Sequence, residues 1–482
     1  MSVSVSNLRI MTAGEDPNSA IEVVDSNDLD GYGPPTQPKS MTESPLTRVA
    51  RADNGSEVPL DQLMHCGEQP LLWSVDERMR LIRRRAAGRV VIRSRDVFRV
   101  SLASGRQLEL TSGQHVLKVD GWKPLTELGV GSRIAVLRRL FEPVQLKRMY
   151  DSEVIMLAHM IGDGSCVKRQ PIRYASIDEQ NLAAVTTAAQ HFGVTAIRDE
   201  YAAARVTTLR LPAPFRLTHG KRNPIAEWLD GLGLFGLRSY EKFVPAAVFA
   251  LPNEQVALFL RHLWATDGSV RWDAKTSQGR VYYASTSRRL IDDVMHLLLR
   301  MGVQTRITRT TKAGYCDCWF LTIDRAANQI AFLTKVGVHG ERGLKAKEVV
   351  GKLAGRIRRP GTDTIPVEIW DQVRAHMAQR NWSDRDFALA TNTRYDGPRM
   401  WTHAPGRSRL HRISGILDDP TLHDLATNDI YWDKVVDVTS LGHRDEVCGF
   451  TETEGNPVVA QGVVVRYPNV RAPVLIERIG RR

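Results

Sequence analysis

Two aspartates, Asp163 and Asp267, close apolar stretches of the chain in the same way. MLAHMIGDGS runs from Met156 to Ser165, and LRHLWATDGS runs from Leu260 to Ser269, 104 residues later. Each stretch holds two turns of apolar residues and then Asp-Gly, whose glycine suits the end of a helix. A carboxylate at that end faces the negative pole of the helix dipole, at a cost of ~0.3–1 kcal/mol, and two such helices side by side add carboxylate repulsion. Something cationic must offset both. A hard divalent ion such as Mg²⁺ (or Mn²⁺) takes two carboxylates plus water and phosphate oxygens, and it also supplies the means of cutting a phosphodiester. Taken singly, either Asp-Gly is an ordinary helix stop; their recurrence in register is what favours a site.

The elements that must position these acids repeat as well. Tyr174-Ala175-Ser176 recurs as Tyr283-Ala284-Ser285, followed in each copy by a helical stretch closing on Gly193-Val194 or Gly302-Val303. Leu232–Gly236 (LGLFG) recurs as Val336–Gly340 (VGVHG). Ordered matches of this kind mark an internal repeat. Residues 150–250 and 254–350 therefore read as two α/β half-domains related by a pseudo-twofold. The strands RVTTLRLP (Arg205–Pro212) and TRITRTTK (Thr305–Lys312) alternate basic with apolar residues, as expected of sheets with one face on helices and a basic face turned away from them.

On either side of this region the pattern changes. Residues 1–43 hold few large apolar residues and read as a flexible leader. Residues 44–143 are β-rich, with turn signals at Asn54-Gly55 and Ser104-Gly105, and similar alternation returns over 429–467 before a short tail, 468–482. An all-β domain split by an insertion explains that layout. Between the insertion and the second β segment, residues 360–428 show helical periodicity, a start signal at Ser383 and a second short helix, the pattern of a helix-turn-helix. The whole chain, 482 residues, thus reads as α/β multidomain.

Composition narrows the partners. Lys plus Arg is 66 against 54 Asp plus Glu, a net charge of +12, which suits a polyanion. No apolar run approaches the ~18 residues of a membrane helix, and the first residues carry no secretory pattern, so a cytoplasmic location is expected. The five cysteines are scattered and read as free thiols; Cys316 and Cys318 alternate onto one sheet face without zinc-site spacing. No GxxxxGK[ST] phosphate loop occurs, which excludes inferring a helicase.

MLAHMIGDG and LRHLWATDG resemble the two motifs of a LAGLIDADG (dodecapeptide, DOD-type) homing endonuclease. The resemblance implies that the two helices pack through small residues and that Asp163 and Asp267 are the metal-binding catalytic acids of a double-strand DNA endonuclease, expected as a monomer. Ala158 and Gly162 fit the small positions; His262 and Thr266 are bulkier and imply a looser contact in the second copy. The family's Lys-x-hydrophobic-Pro stretch is present as Lys242-Phe243-Val244-Pro245, which makes Lys242 the candidate to polarise the attacking water or to offset phosphorane charge. The repeat offset carries Lys242 onto Ala346, between Lys345 and Lys347, and one of that pair is the candidate for the other strand.

An endonuclease set in a split β domain resembles a large intein, whose outer Hint domain splices proteins; the arrangement is similar to the inteins of bacterial replicative DNA helicases. Ser112–His115 (SGQH) matches the Thr-x-x-His block, so Ser112 and His115 are its candidate remnants. The N-terminal nucleophile is not evident beyond Thr42 or Ser44. At the other end Gly449, Asn456, Arg466 and Tyr467 stand where the family has Asp, His, His and Asn, so the frame is expected to be splicing-defective. Two alternatives stay open: a catalytically silent DNA-binding protein, and an autoprocessing intein with residual peptide-bond cleavage.

Overall fold

The computed structural model describes residues 47–59, 62–63, 69–86, 89–199, 206–217, 220–354, 363–450 and 457–466. The leader, the tail, Thr42, Ser44, Asn456 and Tyr467 lie outside them. The chain forms two compact units. Among the described residues, one comprises 54–56 and 138–354, the other 47–53, 57–137 and 363–466.

The first unit contains the repeat. Helix α1 (Asp151–Ile161) leads into β1 (Gly164–Ser165) and β2 (Arg173–Ser176), followed by α2 (Glu179–His191), β3 (Ile197–Asp199), β4 (Thr207–Arg210) and α3 (Pro224–Gly231). The second copy has α4 (Asn253–Asp267), β5 (Gly268–Asp273), β6 (Gln278–Ser285), α5 (Arg288–Arg300), β7 (Arg306–Thr310), β8 (Cys318–Thr322), α6 (Ala326–Lys335) and α7 (Glu341–Ala354). Each copy builds a four-stranded antiparallel sheet of the same order, β1-β2-β4-β3 and β5-β6-β8-β7. The repeated Tyr-Ala-Ser falls at matching register: Tyr174 pairs with Gly164 and Leu209, Tyr283 with Gly268 and Leu321. Alternation then sends Tyr174, Leu209, Tyr283 and Leu321 inward, all essentially inaccessible, onto one core shared with Leu157, Phe259, Leu263 and Trp264. Buried side chains of both copies line that core, so neither half-sheet covers its apolar face alone.

Asp178 and Ser287 begin α2 and α5 as N-caps, accepting from Gln180 N and Leu290 N. Helix α4 ends at Gly268, as its Asp-Gly predicts, whereas α1 is capped two residues early, at Gly162, so Asp163 lies in the turn just beyond it and Gly164 already begins β1.

The second unit is a split β domain in which the two ends of the chain interleave. Strands run in the order 57–59, 48–50, 457–460, 463–466, 133–137, 430–450, 89–102, 107–111. Strand 430–450 pairs with 133–137 at its start and then along 89–102. Its core includes Val49, Val100, Leu110, Val136, Val435, Val458 and Val465. Helices α8 (Ile369–Gln379), α9 (Asp384–Ala390), α10 (Arg407–Leu417) and α11 (Pro420–Thr427) belong to the same unit. Ser383 caps α9 as its sequence signal predicts: Asp386 N donates to Ser383 Oγ at 3.2 Å and Ser383 N to Asp386 Oδ2 at 2.8 Å. Arg407 ties this group to the sheet, with Nη1 donating to Leu425 O and Asn428 Oδ1 and Nη2 to Ile430 O. No helix among the described residues is long and apolar enough to cross a membrane.

A paired-carboxylate candidate site

Helices α1 and α4 lie side by side in the same direction. At their starts Gln255 Nε2 donates to Asp151 Oδ1 and Met149 O at 2.8 and 2.7 Å. Near their ends Gly162 lies so close to Thr266 that a Cβ on the glycine would be 2.1 Å from Thr266 Oγ1. Contact in the second copy is therefore tight rather than loosened. Thr266 turns its hydroxyl back to donate to Leu263 O at 2.6 Å, which folds the side chain against its own helix. His262 is accommodated by a polar contact: His159 Nε2 lies 3.0 Å from His262 Nδ1, and Tyr174 Oη lies 2.9 Å from His159 Nδ1. His339 stacks on His262 with ring centroids 4.2 Å apart.

This packing brings Asp163 and Asp267 to the same end of the helix pair, as the repeat implies. Both carboxyls are half-buried. Burial first, and then the charge of Asp267, holds Asp163 well above the usual carboxylate range; burial likewise raises Asp267. Two basic groups act against this shift on both acids, Lys242 and Arg342.

Lys242 is 7% exposed and its Nζ donates to Gly164 O at 2.8 Å, Met160 O at 3.0 Å and Gly162 O at 3.1 Å. An ammonium has three N–H bonds, so these carbonyls use all of them. Burial pulls Lys242 below the ordinary lysine value, opposed by Cys166, Asp267 and Asp163. The Lys-Phe-Val-Pro segment is fixed by α5, where Ser287 Oγ donates to Lys242 O at 2.6 Å and Asp293 Oδ2 accepts from Val244 N at 3.1 Å.

Lys345 and Lys347 are exposed on α7, while Ala346 between them is buried. The structure brings Arg342 to the acids instead, one helical turn before the offset position, with its guanidinium donating to Ala265 O. Asp178 positions that turn by accepting from Glu341 N at 2.8 Å. Gly340 is required there, since its φ is +74° and a Cβ would lie 2.2 Å from Asp178 Oδ2. The only sequence signal for Arg342 is its place just after the repeated VGVHG.

Among the described residues no group of three or more His, Cys, Asp or Glu could hold a metal ion by itself. The donors at the helix ends are two carboxylates whose protonated forms are favoured when nothing neutralises them. Such an oxygen-only pair fits a hard cation that keeps most of its water or takes phosphate oxygens.

In the second unit, Ser112 and His115 flank the turn into strand 115–118, and Ser112 N donates to Asp96 O at 3.3 Å. His115 pairs across the ladder with Arg466. The Arg466 guanidinium lies 4.3 Å from the Trp122 ring centroid. Gly449 sits in strand 430–450 opposite Val90. Cys166, Cys316 and Cys318 are free thiols, the first and last buried and Cys316 exposed.

Two apolar helices with Asp-Gly at their ends, each followed by an antiparallel sheet, resemble a LAGLIDADG-like repeat, and the β unit shared by the chain's two ends resembles an intein frame. Residues 254–337 match the family model described as LAGLIDADG-like domain. The replicative DNA helicase DnaB of a Synechocystis strain is 32% identical over 428 residues, 86% of this chain and 48% of that protein. DnaB of Rhodothermus marinus is 32% identical over 424 residues, 87% of this chain and 45% of that one. The chain thus spans about half the length of the curated relatives it matches. Similar solved structures include a G-1F mutant of the Ssp DnaB mini-intein variant M86, 25% identical, covering 22% of this chain and 67% of that one with a TM-score of 0.19. Another is I-DmoI in complex with DNA and Mn, 16% identical, covering 39% and 97% with a TM-score of 0.27.

Proposed function

We propose that the chain is a site-specific double-strand DNA endonuclease of the homing type, carried on an intein-like β frame that no longer splices. The convergence of Asp163 and Asp267 at the shared end of two packed helices, with Lys242 and Arg342 beside them, carries this reading. Asp163 and Asp267 would hold Mg²⁺ or Mn²⁺, which supplies charge stabilisation at the phosphate and a more acidic water. Lys242 keeps the backbone from Met160 to Gly164 in place, so Asp163 is held rather than swung, and its fixed charge lowers the local cost of an approaching phosphate. Arg342 does the same from the end of α4. The substrate is duplex DNA, bound by a monomer in the cytoplasm.

The test is cleavage of a plasmid carrying an uninterrupted helicase-gene junction, the sequence left when this chain's coding segment is removed. Mg²⁺- or Mn²⁺-dependent linear product is expected. Duplex binding without any cut in either ion overturns the endonuclease and leaves the silent DNA-binding protein, a reading that the complete use of the Lys242 protons by carbonyls favours.

The same frame argues for lost splicing. A guanidinium at position 466, opposite His115 and stacked on Trp122, is a poor proton donor at neutral pH.

A further inference from the structure

The outer faces of the two half-sheets are equivalent in register and unlike in chemistry. Two residues beyond each acid, Ser165 pairs with Arg173 and Ser269 pairs with Tyr282. Across the next strand Arg173 faces Arg210, whereas Tyr282 faces Thr322; Ala175 faces Thr208, whereas Ala284 faces Phe320. Arg173, Thr208 and Arg210 thus occupy the places of Tyr282, Phe320 and Thr322. All six are half-buried and alternate with Tyr174, Leu209, Tyr283 and Leu321, which enter the core, so they lie on the opposite face.

Like charges directly opposed on two strands destabilise a sheet, and a polyanion relieves that cost. Asp199 holds Arg210, accepting from its Nε at 2.6 Å, while the buried Nε of Arg173 makes no hydrogen bond. On the second sheet the Tyr282 and Phe320 rings meet at 5.7 Å and 65°, and the arginine pair Arg271–Arg280 comes two residues farther from Asp267. An arginine fork matches guanine O6 and N7, whereas a ring or a threonine methyl suits the thymine methyl group.

We infer that the two halves select different base pairs beside the cut. The first sheet reads guanine through Arg173 and Arg210; the second reads thymine through Tyr282, Phe320 and Thr322. This rests on the DNA reading of the same unit and makes the target asymmetric at its centre.

The experiment is selection by the full chain, in EDTA so that nothing is cut, from duplexes randomised over ~20 base pairs, about two turns of B-DNA. Recovered sequences are expected to favour guanine on one side of the centre and thymine on the other. Joint Tyr282→Ala and Phe320→Ala substitution should weaken the thymine preference roughly tenfold and leave guanine unchanged; Arg173→Ala should do the reverse. Phe320→Leu, which keeps an apolar contact and the strand's packing, should retain the thymine preference. Palindromic sequences, or variants that shift every position alike, would overturn the inference while leaving DNA binding intact. Failure of any duplex to bind would remove the endonuclease reading and this inference with it.

Discussion

His159 Nε2 and His262 Nδ1 meet at 3.0 Å in the middle of the helix pair, where burial disfavours a charge on either ring. With both rings neutral, one proton bridges each contact, and the Tyr174–His159–His262 chain is satisfied whichever way the protons run along it. Burial lowers His159 to about 3, with His339 adding to the shift, and lowers His262 to about 2, with His159, His339 and Arg261 adding. The unfolded chain binds protons at these residues near the ordinary value of 6.5, so stability is full above that pH and falls as pH drops below it. The melting temperature is expected to decline between pH 6.5 and pH 4. A His262→Gln variant, which keeps a hydrogen-bonding side chain and does not titrate, should decline less steeply. Parallel pH profiles in thermal melts would remove the histidine pair as the cause.

Asp163→Asn and Asp267→Asn should each abolish double-strand cleavage while leaving duplex binding nearly unchanged. Either change also removes one member of a repelling pair, so the variants should melt at or above the parent temperature at pH 7. Gel assays and calorimetry together separate a lost reaction from a lost fold.

Lys242→Met keeps the stem but leaves three carbonyls without a donor. A hydrogen bond to a charged group is worth about 1.5–3 kcal/mol, and part of that is recovered from water, so a loss of about 3 kcal/mol in unfolding free energy is expected. Urea melts give the number. An unchanged midpoint would mean that the lysine does not hold the end of α1.

Duplex binding through ~6–10 phosphates should weaken ~10³–10⁵-fold between about 50 and 200 mM salt. Removing residues 363–427 should reduce affinity for long duplexes more than for short ones. If titrations show equal affinity for both forms, the helices α8 to α11 are scaffold.

The purified chain is expected to keep its full mass on prolonged incubation. A fragment ending at Tyr467, seen by intact-mass spectrometry, would show a working autoprotease.

Much of the site could be read in sequence because the chain states it twice. Asp-Gly after an apolar helix is ambiguous once, but the second copy supplied register, and register supplied Tyr174 and Tyr283 as matching core positions. Arg342 was hidden by the same reasoning. The first copy reaches Lys242 through a single 3-10 turn, Ser239–Glu241, after Leu232–Gly236, whereas in the second copy an α-helix starts at once at Glu341, so a constant offset overshoots by a turn. Lys345 and Lys347 then fall on the solvent side of α7. His262 departs from its expectation for a different reason: bulk at a small-residue position predicts separation only if the side chain lacks a partner, and His262 has His159. His159 is four residues upstream of Asp163 with nothing in the sequence to pair it. The β frame was legible from alternation at both ends, but its strand order was not, since pairing partners lie on segments that no local pattern connects.

The interleaved order of that frame sets a schedule for folding. Val49 must wait for Ala460, roughly four hundred residues away along the chain, before its strand has a neighbour on that side. By then the repeat unit has been synthesised, and its pairings close over much shorter loops, which makes them faster. The repeat unit therefore matures first on the ribosome, while the early strands wait as exposed edges that invite mispairing. A host that slows synthesis of residues 430–466 would lengthen the lifetime of those edges without touching the paired carboxylates.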